Sequence, residues 1–278
     1  MALNLKTLGT RTVSALIFGV LLLGSVLWNY YTFSIFFMLV ALVALKEFYE
    51  LCVHMGFRPY KISGYIGGLL TYLLLLRFDY LLTATKAPVM VLVLLPVFIF
   101  TVALYNKREQ QIQNAALTLS GILYAVLPFG LLHSVVIEHS QAGGLSYRPE
   151  VFLGIIFLIW SNDTFAYIGG SLIGRHKMIP RISPGKTWEG TFTGIVLSFG
   201  LSFIIRDHLV QTSGWLWPIL GVAIPVLATV GDLVESMLKR QAGVKDSGNI
   251  MPGHGGALDR FDSLLFVSPA VLAIIQFL

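Results

Sequence analysis

The 278-residue sequence predicts an all-α polytopic integral membrane protein with about nine transmembrane helices. Its residues are 56% hydrophobic and only 12% charged, whereas soluble domains carry about a quarter charged residues. The uncharged runs are long enough to cross a bilayer, which takes roughly 20 apolar residues in a helix. They are continuously apolar and lack the alternation of apolar and polar residues that is typical of transmembrane strands.

Hydropathy divides the chain into nine candidate spans, several of them short for a full crossing. The spans are Thr12–Trp28, Tyr31–Leu45, Ile62–Leu76, Pro88–Tyr105, Ala115–Ile137, Val151–Ile173, Thr191–Ile205, Trp215–Val230 and Ser263–Leu278. The first run has no small-residue cleavage site, so we interpret it as a span and not as a cleaved signal. The single cysteine, Cys52, is interpreted as a packing residue.

The basic residues predict the orientation of these spans. Four of the 19 lysines and arginines fall on one side of the predicted bilayer, namely Arg77, Lys86, Arg148 and Arg206. The other fifteen fall on the opposite side, which places the N-terminus and the even-numbered loops in the cytoplasm. This bias also explains the net charge of +5, so we expect no nucleic acid as a partner.

The most polar segment runs from Gly231 to Asp262 and is predicted to be cytoplasmic. Its carboxylates are Asp232, Glu235, Asp246, Asp259 and Asp262, interleaved with Lys239, Arg240, Lys245 and Arg260. Asp259 and Asp262 are three residues apart and share one face of a helix. Two carboxylates on one face repel unless a cation lies between them, and Mg²⁺ suits a few carboxylates together with phosphate oxygens.

A glycine-rich loop precedes this carboxylate pair. Gly255 and Gly256 allow the backbone to approach a ligand closely. We expect a helix to open near Gly256, with free backbone N–H groups that favour a phosphate. Asp259 and Asp262 then lie at the membrane edge, where ionisable groups are costly and indicate function.

A second polar segment runs from Gly174 to Gly190, after Asp163 at the end of the sixth span. Arg175 and Lys186 are candidate phosphate ligands, and Asp163 is a costly carboxylate near a membrane boundary. Lys177 and Arg181 also fit a simpler interpretation as positive-inside anchors. The residues Gly185-Lys186-Thr187 resemble the end of a P-loop, but Pro180 stands where that motif needs glycine.

Two runs resemble the phosphatidate cytidylyltransferase (CDP-diglyceride synthase) family. The first is Ser236, Lys239-Arg240, Lys245-Asp246, Pro252-Gly253-His254-Gly255-Gly256 and Asp259-Arg260-Phe261-Asp262. Met251 departs from the expected Leu, Ile or Phe, which changes bulk and not polarity. The second is Ser183-Pro184-Gly185-Lys186-Thr187-Trp188-Glu189-Gly190, similar to a Ser-Pro-x-Lys-Thr-Trp-Glu-Gly run of the family.

The resemblance implies an enzyme that transfers CMP from CTP to phosphatidic acid, giving CDP-diacylglycerol and pyrophosphate. The expected catalytic residues are Asp232, Asp259, Asp262, Lys239 and Lys186. The expected substrate-binding residues are Arg175, Ser183, Lys186, Arg240, Lys245, His254, Gly255, Gly256 and Arg260. The expected metal ligands are Asp232, Asp259, Asp262, Asp163 and Asp246, for Mg²⁺ as one ion or two, with a monovalent cation left open.

These expectations define the organisation of the chain. Residues 1–150 are expected to form N-terminal transmembrane helices, and residues 151–278 a C-terminal transmembrane catalytic region of the same membrane-embedded unit. The protein is expected in the inner (cytoplasmic) membrane, with cytoplasmic catalytic loops. Its expected partners are CTP, phosphatidic acid, the lipid bilayer and a second copy in a homodimer.

Two alternatives stay open at this point. A CTP-dependent lipid kinase of the polyprenol type would share basic loops and metal carboxylates, but it would release CDP and not pyrophosphate. A transporter would place its polar residues near mid-span, on interrupted helices and within internal repeats. Here the charged residues lie mainly on one predicted side of the membrane, which favours an enzyme.

Overall fold

The computed structural model describes residues 5–76, 87–107, 109–139, 145–250 and 255–277. The described residues of the first half of the chain are mainly helical. The helices there are α1 (Leu5–Trp28), α2 (Tyr30–His54), α3 (Lys61–Leu76), α4 (Ala87–Leu104), α5 (Gln111–Gly121) and α6 (Leu127–Val136). A π-helical turn, Ile122–Val126, joins α5 to α6 without a break.

The second half adds two antiparallel strand pairs to the helices. Strands β1 (Ile137–His139) and β2 (Leu145–Tyr147) pair with each other, as do β3 (Lys177–Ile179) and β4 (Ser183–Thr187). The helices are α7 (Pro149–Ile173), α8 (Trp188–Ile204), α9 (Leu216–Gln241) and α10 (Leu258–Phe277). A second π-helical turn, Ile205–Val210, extends α8.

Each of the nine predicted spans coincides with a described helical stretch, but Tyr105, Ile137 and Trp215 lie just outside the helices and Leu278 lies outside the described residues. Among the described residues, four stretches are long and apolar enough to cross a membrane: Gln111–Val136, Pro149–Ile173, Trp188–Val210 and Leu216–Gln241. Thr12–Trp28, Lys61–Leu76 and Val93–Leu104 are shorter apolar helices. The all-α membrane class is therefore confirmed, whereas the number of crossings stays a prediction.

Large apolar side chains cover the outside of these helices. Val20, Leu104 and Leu172 are 70%, 74% and 78% exposed, and many similar side chains accompany them. Contiguous exposed apolar surface is rare on soluble monomers, but lipid solvates it readily. Arg77, Lys86 and Arg108, which contributed to the predicted orientation, lie outside the described residues.

The described chain divides into two compact units. The first unit consists of Met1–Ser134 and Leu238–Phe261. Its core includes Phe37, Phe129 and Phe261, whose ring centroids are 5.6 to 5.9 Å apart. The hydroxyl of Tyr49 donates to the carbonyl of Thr118 across this core. The boundary expected at residue 150 stays a prediction about organisation.

The second unit consists of Val135–Met237 and Asp262–Leu278. Within it α7 and α8 approach closely because glycines line their contact. A Cβ on Gly190 would lie 2.5 Å from the carbonyl oxygen of Ala166, and one on Gly194 would lie 2.5 Å from Oδ1 of Asn162. Small residues allow such close backbone packing of membrane helices.

The start of α8 lies three residues before the predicted span. Thr187 precedes the helix, and its hydroxyl accepts a hydrogen bond from the Gly190 amide at 3.2 Å. Capping by a threonine side chain satisfies one of the free amides of the first turn. A hydropathy window misses this polar first turn, which explains the difference.

Candidate active site

A cavity of about 520 Å³ opens in the second unit between α7, the β3–β4 pair and α9. Its lining residues are Asn162, Asp163, Ala166, Tyr167, Gly170, Ser171, Lys177, Ser183, Gly185, Lys186, Thr187, Thr191, Thr229 and Asp232. Four of the expected site residues, Asp163, Ser183, Lys186 and Asp232, thus share one cavity. Its wall combines charges of both signs, hydroxyl groups and the open backbone at Gly185.

Lys186 is held in this cavity by an ion pair. Its ammonium Nζ lies 2.5 Å from Oδ2 of Asp232, and the two side chains are 24% and 33% exposed. The hydroxyl of Ser236 donates to Oδ1 of the same carboxylate at 3.2 Å. An ammonium group fixed in a partly buried site is suited to neutralise a phosphate.

Three carboxylates lie together in the second unit. Asp232, Glu235 and Asp262 each offer one oxygen, and these oxygens lie within 4.8 Å of one another. Glu235 is fully buried, and the other two are partly buried. Asp232 and Glu235 are three residues apart on α9, so both carboxylates face the same side. Three hard oxygen donors fit Mg²⁺ completed by phosphate oxygens.

Glu189 organises the segment between α7 and the strand pair. Its carboxylate accepts hydrogen bonds from the backbone amides of Arg175 and His176 at 3.1 to 3.2 Å. It also lies 2.5 Å from Nδ1 of His176. The Trp-Glu-Gly part of the second motif therefore fixes the turn that carries Arg175, whose side chain is exposed.

A second polar network lies in the first unit, around Asp259. Its Oδ1 accepts from the ammonium of Lys239 at 2.7 Å. Its Oδ2 accepts from the amide and the hydroxyl of Ser247 at 2.9 and 2.8 Å, and from the Gly256 amide at 2.8 Å. The Asp259 side chain is only 7% exposed and that of Lys239 is 13% exposed.

These contacts determine the charge state of Asp259. Burial by itself raises the pKa of this carboxyl, but the Gly256 amide and the Lys239 ammonium outweigh it and hold the pKa at about 2. Asp259 is therefore a carboxylate whose oxygens already have protein donors. The sequence grouped it with Asp262, whereas the structure gives it partners within the first unit.

Glu47 of α2 joins the same network. It is 2% exposed, and its carboxylate accepts from the amides of Ala257 and Leu258 at 3.0 and 2.8 Å. Its Oε2 also accepts from the Ser247 hydroxyl at 3.2 Å. A buried carboxylate is costly unless hydrogen bonds replace its hydration. Here two backbone amides donate to it, and the single hydrogen of the Ser247 hydroxyl is shared with Asp259.

The expectation of free amides at the start of the last helix is therefore wrong. The amide of Gly256 donates to Asp259, and those of Ala257 and Leu258 donate to Glu47. A helix start favours an anion, and in this chain two protein carboxylates occupy that place. The physical reason is a side chain that lies 210 residues earlier in the chain.

The remaining expected site residues lie at the surface or outside the described residues. Arg240, Lys245, Asp246 and Arg260 are exposed. Gly255 is half-buried with a φ of 83°, a backbone conformation that favours glycine. His254 lies outside the described residues.

Sequence reasoning missed the roles of two carboxylates. It named Glu235 without assigning it to the metal, although the spacing of three from Asp232 was a usable signal. It assigned no site role to Glu47, because no local pattern links α2 to a loop some two hundred residues later.

Comparison with known proteins gives consistent results. The model of the cytidylyltransferase family matches residues 9–278. A phosphatidate cytidylyltransferase of Staphylococcus epidermidis is 33% identical over 260 residues, covering 93% of this chain and 95% of that protein. Proteins of the same name from Staphylococcus saprophyticus and Staphylococcus aureus are 33% and 31% identical, with the same coverage of both chains.

Proposed function

This chain belongs to the cytidylyltransferase family, and from that premise we propose that it transfers CMP from CTP to phosphatidic acid. The products are CDP-diacylglycerol and pyrophosphate. The observation that carries the proposal is the ion pair of Lys186 with Asp232 in one cavity, which is also lined by Ser183 of the same family-like motif. The resemblance drawn from the sequence is confirmed by the family match.

The reaction needs positioning and charge neutralisation more than a base. A phosphate oxygen of phosphatidic acid attacks the α-phosphorus of CTP, and the bond from that phosphorus to the bridging oxygen of the β-phosphate breaks. The nucleophile is already an anion, so no proton has to be removed. Catalysis then depends on holding both phosphates in line and on stabilising the charge that develops.

We assign the cavity of the second unit to the reacting phosphates. Lys186 would neutralise a phosphate oxygen, and Ser183 would donate a hydrogen bond from the same wall. Asp163 lies in the cavity with Lys186 and Asp232, and we assign it to the outer part of the metal site. Arg175 is exposed on the turn that Glu189 fixes, where it can meet a polyphosphate.

The carboxylate group of Asp232, Glu235 and Asp262 fits a divalent cation. We propose these three residues as the ligands of Mg²⁺, with Glu235 added to the set expected from the sequence. Mg²⁺ bound there would neutralise charge on the phosphate oxygens of the reaction. The three carboxylates would otherwise repel one another, which explains why the site needs a cation.

The signature loop, defined as described residues 242–250 and 255–257, belongs to the first unit. We propose that Lys239, Arg240, Lys245 and Arg260 contact phosphate groups of CTP there, together with Gly255 and His254. Gly256, also expected there, is buried and its amide already donates to Asp259. We assign Asp259 to holding Lys239 and the loop, because its oxygens are occupied by four protein donors. Asp246, which is exposed, stays a candidate for an outer metal contact.

We propose that the enzyme lies in the inner (cytoplasmic) membrane with its site facing the cytoplasm. CTP is polar and phosphatidic acid is lipid-soluble, so the site has to open at the membrane interface. Phosphatidic acid would enter sideways from the inner leaflet, since its acyl chains need not leave the bilayer. A homodimer stays a prediction, to be measured by light scattering of the detergent-solubilised protein.

The test of this function is a defined reaction with purified full-length protein. Labelled CTP, phosphatidic acid and Mg²⁺ should give labelled CDP-diacylglycerol and one pyrophosphate for each product. Diacylglycerol should not replace phosphatidic acid, because it lacks the anionic nucleophile. Release of CDP, with efficient use of a lipid alcohol, would instead identify a lipid kinase.

A further inference from the structure

The buried carboxylate of Glu47 contacts both described parts of the signature loop. In the first part it lies 3.2 Å from the Ser247 hydroxyl, and in the second it accepts from the amide of Ala257, and from that of Leu258 directly after the loop. Glu47 lies on α2 beside the buried residues Phe48 and Tyr49. A single side chain thus ties both parts of the loop to a helix.

Two glycines of the loop pack closely against this side chain. A Cβ on Gly248 would lie 2.3 Å from Oε1 of Glu47, and a Cβ on Gly256 would lie 2.3 Å from the same atom. Neither glycine has a positive φ, so the backbone conformation itself would accept alanine. The space that these glycines leave is filled by the Glu47 carboxylate.

Glu47 is linked to a candidate phosphate ligand through one hydroxyl. The Ser247 oxygen lies 3.2 Å from Glu47 and 2.8 Å from Asp259, and Asp259 in turn holds Lys239 at 2.7 Å. All four residues belong to the first unit. The position of the Lys239 ammonium therefore depends on a chain of contacts that begins at Glu47.

We propose that Glu47 is a positioning residue for CTP binding, which holds the signature loop and Lys239 in the binding conformation before the nucleotide arrives. This inference rests on the proposed function, since it assigns the loop to CTP. Preorganisation lowers the free-energy cost of CTP binding, because the loop does not lose conformational entropy when the nucleotide binds. Glu47 touches no substrate and acts through Ser247, Asp259 and the start of α10.

The first experiment changes Glu47 while keeping its size. In Glu47→Gln the amide group has to face two backbone N–H donors, and one of them loses its acceptor. We expect the KM for CTP to rise about tenfold or more, while kcat per folded molecule changes much less. Glu50→Gln is the matched control, because Glu50 lies one turn later on α2 and pairs with Lys46 at the surface.

A purely structural role predicts a different result. The amount of folded protein and its unfolding temperature would fall, but the KM of the surviving molecules would stay that of the wild type. An unchanged KM for CTP in folded Glu47→Gln would therefore overturn the proposal. Gly248→Ala gives an independent test, since its Cβ displaces the carboxylate and should raise the same KM. In a Glu47→Ala background the added Cβ has room, so Gly248→Ala should then have little further effect.

Hydrogen exchange gives a readout that needs no turnover. In the wild-type protein without nucleotide, the amides of Ala257 and Leu258 should be protected, and in Glu47→Gln they should exchange at least about tenfold faster. Rapid exchange of these amides in the wild type would refute the proposal even if no variant folds. If wild-type protein makes no CDP-diacylglycerol while this protection is found, the proposed function fails and the loop-holding role of Glu47 stands.

Discussion

Lys186 and Asp232 form an ion pair in which Nζ lies 2.5 Å from Oδ2, and the same Asp232 belongs to the carboxylate group with Glu235 and Asp262. One carboxylate thus links a candidate phosphate ligand to the candidate metal site. Because Asp232 serves both, a change at Lys186 affects the charge balance of the whole cavity.

Removal of the Lys186 charge should impair both binding and turnover. For Lys186→Gln we expect kcat/KM for CTP to fall about a hundredfold, because a charge-assisted contact to a phosphate is lost. Steady-state kinetics in detergent micelles with fixed phosphatidic acid measures this. Arg181→Gln, an exposed cation of the same loop, is the control and should stay within about threefold. If both variants lowered kcat/KM equally, Lys186 would be only a positive-inside anchor and not a phosphate ligand.

The metal assignment predicts opposite behaviour for two aspartates of the last motif. Asp262→Asn removes a proposed ligand, so kcat should fall about a hundredfold and the Mg²⁺ concentration for half-maximal activity should rise. Glu235→Gln should behave in the same way. Asp259→Asn should leave the Mg²⁺ dependence unchanged and lower the unfolding temperature. If Asp259→Asn shifted the Mg²⁺ concentration needed for half-maximal activity, Asp259 would be a metal ligand, contrary to this assignment.

The low pKa of Asp259 predicts a pH window for its contribution to stability. The folded-state pKa of about 2 lies below the ordinary value of 3.8, so this carboxylate stabilises the fold fully above pH 4 or so. The contribution is lost as the pH falls from about 4 towards 2, where the folded state takes up the proton. The difference in unfolding temperature between wild type and Asp259→Asn should be constant from pH 7 to 5 and shrink at pH 3. A difference that does not change with pH would contradict the ion pair with Lys239.

The basic-residue bias predicts which face of the membrane carries the site. A cysteine introduced by Arg181→Cys should react with a membrane-impermeant thiol reagent only in inside-out vesicles. The native Cys52 is buried and contributes little background. If Arg181→Cys were labelled in intact cells, the loop would face outward and the predicted orientation would be wrong.

Structural features that depend on residues close together in the sequence could be predicted from the sequence. Continuous apolar runs predicted a helix at each of nine places. The concentration of polar residues predicted that the segments containing Ser183, Lys186 and Asp232 carry the site. The limits of the helices were less accurate, because polar first turns such as that after Thr187 lie outside a hydropathy window.

The partners of the carboxylates could not be predicted in the same way. The loop and the start of α10 are anchored by Glu47, whose partners are 200 to 211 residues away. Local sequence patterns cannot predict a contact between residues so far apart. Free amides were therefore expected at the start of α10, where the amides in fact donate to carboxylates.

The contact between Glu47 and the start of α10 has a consequence for biosynthesis. Glu47 is synthesised early in translation, whereas its amide partners follow 210 and 211 residues later. Until then its carboxylate lacks these backbone donors, and contacts so distant in sequence form late. A nascent chain cannot complete the contacts of Glu47 before the start of α10 is synthesised. A chain truncated before α10 would keep an uncompensated acid in its core, a defect that membrane proteases could recognise.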